Sequence, residues 1–227
     1  MELLHALRGT GAVRDFTDAP VDDATLARVL DSARFAPSGG NRQAWRVVVV
    51  RDGALRAGLA EVYRRGWYDY RAMQQAGLRP YAPTNDRAAE RRAVALAPGI
   101  AAAAAETPGF AENFDRVPAL LAVFCDLSAL AAVDRDLDRY GLAGGASVYP
   151  FVWSILLAAH QEGLGGVLTT MPVREEPTVK RLLHVPDPLA LAAVVALGYP
   201  RRRPTRLRRA PVADFATVDT LDGPVLA

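Results

Sequence analysis

Cysteine occurs once in the 227 residues, at Cys125. A single thiol excludes an intrachain disulfide and leaves no thiolate pattern for a metal. Its place after the apolar run Leu120–Phe124 predicts a buried, unreactive side chain. Histidine is nearly as scarce: His5, His160 and His184 are scattered without ligand spacing, so no metal site is expected. No Gly-x-Ser-x-Gly elbow is present, which leaves serine-hydrolase chemistry without its nucleophile. Long apolar runs are missing too. The longest stretch, Val148–Ala159, is interrupted by Pro150 and Ser154 and falls short of the roughly 20 residues a bilayer needs. Met1–His5 carries neither the basic region nor the cleavage site of a secretory signal, so a cytoplasmic protein with no membrane partner is expected. The net charge of +2 supplies no global field for a nucleic acid, and none is expected as partner. Lysine appears once, at Lys180, so arginine carries almost all positive charge.

What is present is a chain 51% hydrophobic and 23% charged, the balance of a soluble globular protein. Its length suits one domain over residues 1–227. Spacing and start signals mark helices at Met1–Leu7, Thr25–Phe35 (opened by Asp22 or Asp23), Leu55–Arg65, Ser147–Gln161 and Pro177–Leu183, and propensity alone marks Ala101–Ala105. The helix to Gln161 is apolar nearly all round, which predicts burial on all sides. Val47–Val50, Ala119–Cys125 and Leu191–Leu197 read as buried strands, and Val212–Val218 has mixed strand character. Residues 66–108 are the least regular part, with Trp67, Tyr68, Tyr70 and Tyr81 among prolines. Gly141–Ala146 lacks both the spacing and the preceding strand of a dinucleotide loop.

The chemistry concentrates in Ala36–Trp45, between a helix and a strand. Pro37 stops the helix, and Gly39-Gly40 permits positive φ or close approach to a ligand. Ser38, Asn41 and Gln43 offer hydroxyl and amide groups suited to the polar edge of a planar heterocycle. Pro37-Ser38-x-x-Asn41-x-Gln43-x-Trp45 resembles the signature loop of the FMN-dependent nitroreductase-like superfamily. Gly163-Leu164-Gly165 followed by Gly166–Met171, and the Gly198-Tyr199-Pro200 ending before a basic tail, resemble the same family in the same order.

The resemblance implies an α+β nitroreductase-like fold, a central mixed sheet flanked by helices and assembled as an intertwined homodimer. It implies FMN at the subunit interface, held by Arg14, Pro37, Ser38, Gly39, Asn41, Gln43, Ser147, Leu168, Thr169, Thr170, Arg206 and Arg208. Thr170 would present the backbone N–H to flavin N5, and Arg14, Arg206 and Arg208 would hold phosphate. Residues 66–108 would form a variable lid or helical insertion, with Trp67, Tyr68 and Tyr70 facing substrate or simply packing, and 201–227 an arm around the partner. Aromatic stacking there is worth roughly 0.5–1.5 kcal/mol beyond area burial. The basic tail reads equally as a solvated surface or, less readily, as a nucleic-acid patch.

The implied activity is an FMN-dependent NAD(P)H oxidoreductase, using NADPH or NADH and reducing nitroaromatics, quinones or enones by ping-pong hydride transfer. No protein group is assigned as catalytic, because the flavin carries the chemistry. One departure stands out. Gly11 and Ala12 occupy positions where the family commonly has a basic and a hydroxyl residue. A charge-assisted hydrogen bond is worth about 1.5–3 kcal/mol, so losing one or two would weaken binding by about 10- to 1000-fold or more. Arg8 or a Gly9-Thr10-Gly11 amide nest is the possible compensation. A flavin-poor binding or regulatory member, or a specialised flavin oxidase or dehalogenase, is the alternative.

Overall fold

Aspartates set the starts of three helices. Asp22 accepts from the Thr25 amide ahead of α2 (Asp23–Ala33), Asp52 from Ala54 and Leu55 ahead of α3 (Gly53–Gln75), and Asp86 from Ala88 ahead of α4 (Arg87–Val94). Each satisfies amides that a helix start leaves without an internal partner. The computed structural model describes residues 2–204 and 207–226. Its other helices are α1 (Leu3–Gly9), α5 (Ala97–Glu106), α6 (Tyr149–Gln161) and α7 (Glu176–Leu182), and its strands are β1 (Trp45–Val50), β2 (Ala119–Asp126), β3 (Gly165–Thr169) and β4 (Leu189–Gly198). This is the α+β arrangement that the resemblance implies.

The strands lie in the order β1-β2-β4-β3, with every ladder antiparallel. The expected mixed character is confined to one parallel bridge, Ala12 to Gly166, where the segment after α1 runs beside β3. β2 is buried at nearly every position because helices cover both faces. Leu121, Val123 and Cys125 pack with Val29 of α2 and Ile155 of α6, while Leu120, Ala122 and Phe124 pack with Leu59 of α3 and Val179 of α7. Cys125 is therefore a core thiol, and burial pushes its pKa up.

Two expectations change. α3 continues ten residues past the expected end at Arg65, so Trp67, Tyr68 and Tyr70 are helical. Gly66 is buried inside it and lies against the Met171 backbone, where a Cβ would stand 3.1 Å from the Met171 carbonyl oxygen. On α6, Phe151, Val152, Ile155 and Ala159 face the core of the same chain, and Tyr149 and Trp153 are exposed on the single chain. Val212–Asp214 is a short 3-10 turn after Pro211, and Thr217 bridges Val225 within the tail instead of joining the sheet. Arg206 lies outside the described residues. Among those described, no helix is long and apolar enough to cross a membrane, and no cluster of three His, Cys, Asp or Glu side chains is placed to hold a metal.

Candidate functional site

The Ala36–Trp45 loop is held from both ends. Trp45 stacks on Phe151 of α6 with ring centroids 4.5 Å apart, which ties the start of β1 to the helix beneath it. Ser38 Oγ accepts from the Gln43 amide at 3.0 Å, and Ser147 Oγ accepts from the Gly39 amide at the same distance. Gly40, Asn41 and Gln43 have φ of 60°, 52° and 49°, a left-handed path that glycine and asparagine tolerate and glutamine rarely adopts. That path leaves Pro37, Asn41 and Gln43 exposed. Gln43 Nε2 donates to Asn41 Oδ1 at 3.1 Å, so the pair still offers Asn41 N–H groups and the Gln43 carbonyl outward. This adjacent donor and acceptor complement the carbonyl–N–H edge of an imide ring.

Ser147 is placed by a buried carboxylate. Asp134 Oδ2 accepts from the Leu142 amide at 2.6 Å, the Ala143 amide at 3.1 Å and Arg139 Nη1 at 2.9 Å. Those two amides chiefly lower the Asp134 pKa to about 2. They also start the 3-10 turn Ala143–Ser147, which delivers the hydroxyl to Gly39.

A second cluster surrounds the end of β3. Gly166 spends its outward carbonyl on the Val13 amide at 2.9 Å, and two residues on Leu168 presents the same open edge. Thr169 is buried, and its hydroxyl accepts from Met171 N at 3.3 Å. Thr170 is exposed, and its N–H has no backbone acceptor among the described residues. The segment paired with β3 carries Arg14, which is exposed and lines two adjoining cavities, one of about 540 Å³ shared with Trp67 and Tyr68. Tyr70 lies outside that cavity and stacks on Trp67 at 5.4 Å.

The Gly9–Gly11 turn does not form the expected amide nest. Thr10 N donates to Ala6 and Gly11 N to Gly9, closing the end of α1. Thr10 Oγ1 is engaged with His160 Nδ1 at 2.7 Å. Gly11 itself is covered by the tail, since a Cβ there would stand 2.7 Å from Leu207 and 3.1 Å from Pro204. The tail thus brings the exposed Arg208 beside the segment that bears Arg14.

The two clusters do not meet within one chain. β1 and β3 are opposite edges, separated by three strand spacings, ~14 Å. They also lean to opposite faces. The Asn41 loop rests on α6 through Ser147 and Trp45, whereas Met171 rests on α3 through Gly66.

Four site residues escaped the sequence reading: Tyr63, Arg71, Phe110 and Glu112, all lining the 540 Å³ cavity. Tyr63, Trp67 and Arg71 recur at i, i+4 and i+8, a helical signal lost by ending the helix at Arg65. Tyr68 OH donates to Glu112 Oε1 at 2.6 Å, and burial and that bond push the phenol up to about 12. Burial favours a raised Glu112 pKa, but the bonds from Tyr68 and the Gly109 amide outweigh it and the carboxyl is lowered.

Residues 7–199 match the model of the Nitroreductase family. The chain is 33% identical over 196 residues to the 5,6-dimethylbenzimidazole synthase of Rhodospirillum rubrum, covering 83% of this chain and 77% of the relative. It is 30% identical over 191 residues to the NADH dehydrogenase of Thermus thermophilus, covering 83% and 82%. Among solved structures it is similar to oxidized iodotyrosine deiodinase bound to FMN and 3-iodo-L-tyrosine, with TM-score 0.64, 24% identity and coverage of 93% and 96%.

Proposed function

The chain belongs to the nitroreductase family, and from that membership we propose that it is an FMN-dependent oxidoreductase working as a homodimer. The observation that carries this reading is the pair of exposed edges on opposite sides of one chain, Asn41–Gln43 and the Thr170 N–H, the latter without an acceptor among the described residues. A second copy would bring one chain's loop to the other's β3, with the exposed Tyr149 and Trp153 covered between them.

FMN, when bound, supplies the hydride chemistry, and the protein binds and tunes the ring. Asn41 and Gln43 would read the imide edge. The Thr170 N–H would face N5, with Leu168 and Thr169 setting its strand. Pro37, Ser38, Gly39 and Ser147 would hold the loop's shape, and Arg14, Arg206 and Arg208 would supply positive charge for phosphate. NADH or NADPH would be the donor, and a small electron-poor molecule the acceptor. The relatives named above carry a synthase, a dehydrogenase and a deiodinase name, so donor and acceptor are matters for assay.

A second reading, a flavin-poor binding member, rests on the closed Gly9–Gly11 turn and its cover of Pro204 and Leu207. Purification decides between them. A yellow protein, or one that takes up FMN stoichiometrically and is bleached by NADH or NADPH, is expected. A colourless protein that retains no added FMN would leave the second reading standing.

A further inference from the structure

The cavity between α3, α5 and the Arg14 segment has chemistry that the flavin contacts leave unused. Its wall is aromatic: Tyr63 and Trp67 lie near parallel at 6.4 Å, and Phe110 meets Tyr63 edge-on at 5.8 Å. About 540 Å³ is a normal volume for a small-molecule site. Gly66, one residue before Trp67, touches Met171, so the helix that carries this wall also packs on the turn after β3. α5 closes the other side with Ala103 and Ala104, has no buried residue, and starts without a side-chain cap.

The charges at this wall are unequal in their freedom. Glu112 is engaged at both oxygens, by Tyr68 OH at 2.6 Å and by the Gly109 amide at 2.7 Å. Arg71 is different: its guanidinium stands 5.9 Å from the Trp67 ring, is exposed, and has no carboxylate partner among the described residues. Gln75, one turn further on, is neutral, and the other arginine of the lining, Arg14, is the one given above to the flavin phosphate. An aromatic surface with an unpaired guanidinium at its rim matches a flat ring bearing an anionic group.

We infer that this cavity receives planar aromatic carboxylates, the ring against the half-buried Trp67 and Phe110 and the carboxylate on Arg71, and that Arg71 sets this preference. The inference rests on the proposed flavoenzyme reading for calling that ligand a substrate, but the binding itself does not require the flavin to react.

The test is equilibrium titration of the FMN-treated protein with 4-nitrobenzoate and with neutral 4-nitrotoluene, followed by tryptophan fluorescence and calorimetry. Wild type should bind the carboxylate at least about tenfold more tightly than the neutral ring. Arg71→Met should remove most of that difference and Arg71→Lys should keep part of it, while the circular dichroism of both variants stays unchanged. Equal affinity for both ligands in wild type, or a preference that survives Arg71→Met, would overturn the inference. So would an Arg71→Met effect confined to FMN or NADPH binding, which would give the guanidinium to a cofactor phosphate. FMN uptake and reduction of menadione are measured in parallel. If these fail while the Arg71-dependent preference holds, the flavoenzyme reading falls and the binding site stands; if these hold and the preference is missing, only the site falls.

Discussion

Asp134 illustrates how one residue outside the candidate site governs it. Its carboxylate is buried and takes two backbone amides and Arg139, and the turn so formed carries Ser147 to the Gly39 amide. Because its pKa is lowered to about 2 from 3.8, the folded state binds fewer protons than the unfolded chain between those values. Its stabilisation is therefore full above the unfolded value and is lost as pH falls through about 2. Asp134→Asn should lower the thermal midpoint at neutral pH and flatten its decline between about pH 4 and pH 2. It should also weaken FMN binding, because Ser147 loses its support. Equal slopes of thermal midpoint against pH for wild type and variant would show that the carboxylate does not act this way. Gly11 is the contrasting residue. As a gap in a basic motif it reads as a loss, yet in the fold it is the position on which Leu207 and Pro204 rest. A larger side chain there would displace the tail that carries Arg208, so restoring a basic residue at Gly11 is not a simple repair.

At the scale of elements, the contact between α3 and the end of β3 fixes where the Thr170 N–H points. Gly66 permits it: a Cβ would meet the Met171 carbonyl at 3.1 Å and the Met171 Cβ at 3.3 Å. Gly66→Val should cost about 1–3 kcal/mol by overpacking, read as a shift in urea midpoint, and should weaken FMN binding along with it. Gly66→Ala should lie near neutral in stability, since a helix-propensity gain of about 1 kcal/mol offsets a small displacement. A valine variant as stable as wild type would show that α3 yields there. Most elements were legible in the sequence because their signals are local. Asp caps, β-branched runs and helical spacing placed β1, β2, β4, α2, α6 and α7 to within a few residues, whereas β3 came only with the resemblance. What escaped was set by tertiary packing. α3 runs through Gly66 because Met171 and Glu112 meet its far half, and neither partner is near it in sequence. The strand expected at Val212 would need an edge to pair with, and Pro211 and Val212 instead start a turn. Within the candidate site, the motif residues Ser38, Asn41 and Gln43 were legible. Ser147 was named, and its partner within the same chain, Gly39, came only with the fold.

At the scale of the molecule, the geometry makes a claim about stoichiometry that activity alone can test. Asn41 and Thr170 lie at opposite edges of the sheet in one chain, so a site using both has to draw them from two chains. In a two-fold dimer each chain then contributes its loop to one site and its β3 end to the other. Two variants separate these contributions. Asn41→Gly removes the carboxamide while tolerating the φ of 52°, and Thr170→Pro removes the N–H. Each alone should bind FMN poorly and be nearly inactive, because both sites of its homodimer are damaged. Unfolded together in equal amounts and refolded, about half of the dimers should be mixed, each with one intact and one doubly damaged site. Recovered activity should approach about one quarter of wild type, with flavin bound in proportion. Variants mixed without unfolding should recover less, to the extent that subunits exchange slowly. If every site lay within a single chain, no mixture would hold an intact one, and refolding would restore nothing. A monomer by light scattering would end the two-chain site as surely, because Tyr149 and Trp153 would then face water and the Asn41 loop would have no β3 end to meet.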